Sequence, residues 1–128
     1  MNRVKSVAVW GLHILLSAMF LIQGISKLLS SSSWVSRFKG WGYPDGFYFA
    51  IGAIEVLCAV LLLIPKFAGY GSLALTLVML GASVTHVAYG EPQVITTLVL
   101  MALLGLVVYI RRADITQLRR MFTKRDII

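Results

Sequence analysis

The sequence predicts an all-α membrane protein: a four-transmembrane up-down helix bundle with both termini cytoplasmic. Three observations carry that reading. The 128-residue chain is 59% hydrophobic and only 13% charged, far from the balance of a soluble domain. Its apolar residues gather into four segments of about 20 residues, the length that crosses a bilayer. Its basic residues, which give a net charge of +7, fall mainly on one side of those segments. The length suits a single domain, residues 1–128.

The first segment is residues 7–29. Arg3 and Lys5 ahead of an apolar run look like a secretory signal. The run continues past Ser17-Ala18 to Leu29, so it reads as a retained spanning helix. His13, Ser17, Phe20, Gly24 and Lys27 share one face by alternating steps of three and four. Residues 30–46 form a long connection. Its serines can cap a short helix at Trp34, which sets Trp34, Phe38 and Trp41 on one side. Tyr43-Pro44-Asp45-Gly46 is a turn signal. Aromatics at this level suit an interfacial belt. The functional alternative is a lid of Trp34, Phe38, Trp41 and Tyr43 over the outer mouth of the bundle.

Residues 47–64, 67–89 and 93–110 complete the spans, joined at Pro65-Lys66 and Gly90-Glu91-Pro92. Such short turns force antiparallel neighbours. The second span aligns Tyr48, Gly52, Glu55 and Ala59. The third aligns Ser72, Thr76, Met79, Ser83, His86 and Gly90. Small and polar stripes of this kind let membrane helices approach and hydrogen-bond. The fourth is plainer, with Thr97, Met101 and Gly105 as its face, and reads as packing and lipid contact. In the tail, residues 111–128, Ile115, Leu118 and Phe122 lie opposite Arg119, Arg120 and Lys124. That is a basic amphipathic helix for the inner leaflet. Nine basic residues (Arg3, Lys5, Lys66 and six in the tail) stand against Lys27, Arg37 and Lys39, which sets the orientation. Their position beside apolar spans points to anionic lipid and argues against nucleic acid.

Glu55 is the residue that most needs explaining, because a lone carboxylate at membrane depth turns to a partner or a wet cavity. Counting about 1.5 Å per residue, Lys27 and His86 are level near the outer surface and Glu55 lies about 12 Å below it. Gln23, one turn beneath Lys27, spans most of the gap. Gln23, Lys27, Glu55 and His86 are therefore expected to form one polar cluster. It has three readings: a structural network fixing helix register, a pocket for a small lipophile such as a quinone, or a proton path through Glu55. The proton path lacks carriers between Ser17 and Gln23. His13 lies about 19 Å in height from His86, too far for one haem iron. It is expected to hydrogen-bond a neighbouring helix. One cysteine, Cys58, cannot cycle a disulfide, and no ligand pair at helical spacing suggests a metal.

Several motifs in order then carry a resemblance. They are Gly24-Ile25-Ser26-Lys27-Leu28, Gly42-Tyr43-Pro44, Gly52-Ala53-Ile54-Glu55, Pro65, and Gly81-Ala82-Ser83-Val84-Thr85-His86. Between Leu12 and about Arg112 the chain resembles the DoxX family of small four-helix membrane proteins. Gly90-Glu91-Pro92 is similar to the animal branch, associated with assembly of nicotinic receptors. Relatives include a membrane subunit of archaeal thiosulfate:quinone oxidoreductase and a bacterial member linked to oxidative-stress complexes. The family's recurrent Lys, Glu and His fall on Lys27, Glu55 and His86. The resemblance implies an inner-membrane anchor or accessory subunit of a redox or stress-response complex, with no autonomous catalysis and quinone as the one candidate cofactor. The expected partners are the bilayer, a membrane or soluble redox protein and a second copy of the chain. The alternative is a non-catalytic assembly factor whose polar cluster is structural.

Overall fold

Long apolar runs grow as helices until the chain supplies a stop, and the stops here are few. The computed structural model describes residues 3–30 and 32–113. It contains α1 (Arg3–Leu28), α2 (Ser32–Gly40), α3 (Phe47–Leu62), α4 (Ala68–Ala88) and α5 (Val94–Ile110), and no strand among the described residues. α1 starts a turn earlier than its apolar run, because Arg and Lys are themselves good helix formers. α3 stops two residues short of the expected end. Leu63 and Ile64 tighten into three-residue turns ahead of Pro65, which disfavours a helical residue before it.

The four expected spans differ in length. α1 and α4 are long and apolar enough to cross a membrane, whereas α3 and α5 are shorter apolar helices of 16 and 17 residues. The amphipathic helix expected after Ala113 lies outside the described residues.

The long helices pack in chain order: α1 on α3, α3 on α4, α4 on α5. α2 sits against α1 and α3. Burial is inverted relative to a soluble protein. His13, Ser17, Lys27, Glu55, Ser72, Ser83 and Thr97 are buried, while Val7, Ile22, Leu57, Leu77, Val87 and Ile95 are exposed. Polar stripes turned inward and aliphatic faces turned outward suit a hydrocarbon solvent. All five residues of the stripe expected on α1 are buried, and Leu16 joins them on that face. On α5 the face differs. Thr97 is buried with Leu100, Leu104 and Val107, and Gly105 is exposed. Three large aliphatics at near-helical spacing outweigh one glycine in choosing the packed side.

α1 and α3 approach most closely at two glycines. A Cβ on Gly24 would lie 2.9 Å from the Gly52 carbonyl oxygen, and one on Gly52 would lie 2.8 Å from that of Gly24. Below them, Leu16 and Phe20 join Ala59, Leu62, Leu75, Leu104 and Val107 in the apolar core. Gly52→Ala should therefore cost about 1–3 kcal/mol through overpacking against rigid backbone. Gly81→Ala, where a Cβ meets nothing within 4 Å, should be neutral or up to about 1 kcal/mol stabilising. Thermal unfolding of both variants in detergent tests this. A Gly52→Ala midpoint equal to wild type would contradict the close crossing.

Candidate functional site

The glycine crossing decides where the first two polar residues go. Lys27 follows Gly24 by three residues, and Glu55 follows Gly52 by three. Each side chain therefore leaves the crossing on its own helix's contact face. Lys27 Nζ donates to Glu55 Oε1 at 2.6 Å, with side chains 5% and 0% exposed. The ammonium also lies 3.9 Å from the centroid of the Trp34 ring, a cation–π contact with α2. Among the described residues Glu55 Oε2 has no hydrogen-bond partner, although it is buried.

His86 comes to the site from the far end of α4. Gly90 takes φ +63 just past that helix, the left-handed conformation that glycine adopts at little cost. The Glu91 N–H then bonds the His86 carbonyl and the Gly90 N–H bonds that of Val87, a Schellman ending. The reversal brings the Glu91 carboxylate back onto the imidazole, 2.9 Å from Nδ1. Glu91 also accepts from Trp41 Nε1 at 3.0 Å. His86 is thus partnered by Glu91, and neither Lys27 nor Glu55 bonds it. Glu91 joins the site, although in the sequence it reads only as part of the Gly90-Glu91-Pro92 turn. Its signal was the helix-ending glycine directly before it, five residues beyond His86.

α2 and the connection after it close the same end. Phe38, 6% exposed, has the rings of Trp34, Trp41, Tyr43, Phe47 and Tyr48 within 6.2 Å of its own. Tyr43 and Thr85 share a hydrogen bond between their hydroxyls, and Tyr89 donates to the Trp41 carbonyl. These rings pack on one another and are fastened to α4. A belt would spread them around the circumference.

Beneath this cover is a cavity of about 530 Å³, within the range of small-ligand pockets. Gln23, Lys27, Glu55 and His86 all line it, as do Trp34, Phe38, Trp41 and Tyr43. Apolar wall comes from Ile51, Leu77, Val78 and Ala82. Gln93 and, on α5, Thr96, Thr97 and Leu100 also line it, so α5 is more than packing. Ser83 donates to Thr97 across the α4–α5 contact. Chemically, the cavity can hold an apolar body while offering donors and acceptors at a few fixed points.

His13 is elsewhere. Its Nδ1–H donates to the Val9 carbonyl and its Nε2 accepts from Arg111 Nε at 3.1 Å, which ties α1 to the end of α5 as a helix link. Cys58 is buried in the core.

A model of the DoxX-like family matches residues 11–110. No curated protein and no solved structure matches the chain.

Removing one member of a buried ion pair strands the other. Lys27→Met alone should cost about 3–5 kcal/mol, and Lys27→Met with Glu55→Leu should recover most of it. Chemical denaturation in detergent checks both. A double variant as unstable as the single would mean that the pair does not set the stability of the α1–α3 contact.

Proposed function

This chain belongs to the DoxX-like family and is a membrane protein; from that footing we propose that it serves as an anchor or accessory subunit of a redox or stress-response complex. It holds a small quinone-like lipophile beneath the aromatic cover. The single observation that carries the site is the covered cavity, with Gln23, Lys27, Glu55 and His86 on its wall. Few polar groups in a mainly apolar and aromatic wall fix the orientation of a flat ring. Lys27 supplies a donor and Glu55 Oε2 an unused acceptor, so the pair suits a head that carries both carbonyl and hydroxyl. In this reading the protein crosses the inner (plasma) membrane four times, with both termini in the cytoplasm and α2 on the outer side. The basic side chains at its cytoplasmic end fit that direction. A soluble or membrane redox protein, or a second copy, is the partner.

The direct Lys27–Glu55 ion pair at the helix crossing favours a second reading. In it the chain is a non-catalytic assembly factor whose cluster only holds register.

Two measurements decide. Native mass spectrometry of chain released gently from its own membrane should find quinone in wild type and lose it in Glu55→Gln and His86→Ala, both still folded. Quinone bound normally by both variants would rule out the pocket. For topology, in a Cys58→Ala background, Ser33→Cys should react with an impermeant maleimide from outside the cell. Lys66→Cys should react only after permeabilisation. Both cysteines labelled from the same side would overturn the four-span arrangement.

A further inference from the structure

The cavity does not end at the helices that frame it. α3 and α4 are held together at one end, where a Cβ on Gly71 would lie 2.9 Å from the Cys58 carbonyl oxygen and 3.0 Å from Leu61 Cβ. Toward the α2 end, residues of the same two helices line the cavity instead: Phe47 and Ile51 on α3, and Leu77, Val78, Gly81 and Ala82 on α4. Space therefore separates the helices there. Two of these residues are also on the outside. Leu77 is 63% exposed, Gly81 is exposed, and a Cβ on Gly81 would meet nothing within 4 Å. A wall residue that is also outer surface marks a place where the cavity is continuous with the surroundings. Those surroundings are hydrocarbon, since the flanking Ile54, Leu73 and Leu80 are exposed aliphatics on α3 and α4. The aqueous end, by contrast, carries the aromatic cover, with Phe38 buried at its centre.

We propose that the cavity opens sideways between α3 and α4 into the leaflet on the α2 side, and that its occupant is a bilayer amphiphile. Its hydroxyl-bearing head reaches the Lys27–Glu55 pair and its alkyl chain lies in the fissure past Gly81. This rests on the reading of the cavity as a lipophile site and adds the occupant's tail and its route. The polarity along the path fits such a molecule. At the inner end of the path Glu55 Oε2 is a buried acceptor without a partner among the described residues, which asks for an O–H donor. The wall formed by Phe47, Ile51, Leu77, Val78 and Ala82 offers carbon alone to what lies against it. A ring without a tail would leave that wall unfilled, and a fully apolar chain would leave the carboxylate oxygen unpaired.

The test compares wild type, Gly81→Ala and Gly81→Phe by native mass spectrometry after gentle release from the same membrane. Each is measured as extracted and after addition of decylubiquinone or of ubiquinone-0, the same ring without its tail. Wild type and Gly81→Ala should carry one tailed amphiphile per chain, native or added. Gly81→Phe should reduce that occupancy at least tenfold with an unchanged unfolding midpoint, because the new ring projects into open space. If Gly81→Phe loses stability, Gly81→Leu replaces it under the same criterion. The proposal is overturned if wild type holds no tailed molecule, if occupancy is equal in the blocked variant, or if ubiquinone-0 binds as well as decylubiquinone. A tailed lipid held in a Gly81-dependent way, with decylubiquinone refused, would support the fissure and sink only the quinone head.

Discussion

A carboxylate and an ammonium buried in an apolar bundle constrain everything near them. Each ion alone would be costly to desolvate, so the pair must be short, dry and held from both sides. The contact at Gly24 and Gly52 meets the first condition by letting two backbones touch, which brings the Lys27 and Glu55 stems within reach. The apolar core beneath, from Phe20 to Val107, meets the second. α2 meets the third, because the Trp34 ring contacts the same ammonium that Glu55 holds. The aromatic cover is thereby coupled to the ion pair: a displacement of α2 would remove the ring from Lys27 at the same time as it uncovered the cavity.

The cover is also fastened to α4 by a separate set of contacts. Glu91 accepts from Trp41 while its carboxylate holds His86, and the Tyr43–Thr85 hydrogen bond ties the same loop to α4. His86 therefore acts at the join between the cover and α4, on the wall opposite the ion pair. The two charged sites share a cavity without sharing a bond. An occupant that touched both would join the ion pair of α1 and α3 to the His86–Glu91 pair at the end of α4.

Much of this was legible before any coordinates. The buried face of α1 follows from periodicity alone, because five polar, small or aromatic residues recur at helical spacing among aliphatics. That Glu55 would seek Lys27 follows from depth. The distance does not, since counting from the outer surface leaves Glu55 about 12 Å beneath Lys27. Gly52 lies against the Lys27 Cβ, so Glu55 is only three residues, about 4.5 Å, further along the helix axis. A lysine chain covers that easily. His86 lines the same cavity as Lys27 and Glu55 but bonds Glu91, because counting residues gives depth but no angle around the bundle. The face of α5 went astray for a related reason. Almost every residue on it is apolar, so the packed side is chosen by neighbours and not by its own pattern.

The hydrogen-bond ledger of the bundle separates its two ends. At the end away from α2, His13 uses both ring nitrogens, and Ser17 reaches the Ala59 carbonyl. Thr76 returns its hydroxyl to its own helix. Such groups spend their donor hydrogens within the protein. Ser72 Oγ is unpaired among the described residues, but it sits in packed core and does not line the cavity. Toward α2 the balance changes. Glu55 keeps a buried oxygen unpaired, and among the described residues the second ring nitrogen of His86 makes no hydrogen bond. Both residues face the same covered space. A structural network would be expected to close on itself, since an unmet buried acceptor costs about 1–3 kcal/mol. Residual capacity gathered at one cavity is what a binding site requires, and that asymmetry is the physical ground for placing function at the α2 end of the bundle.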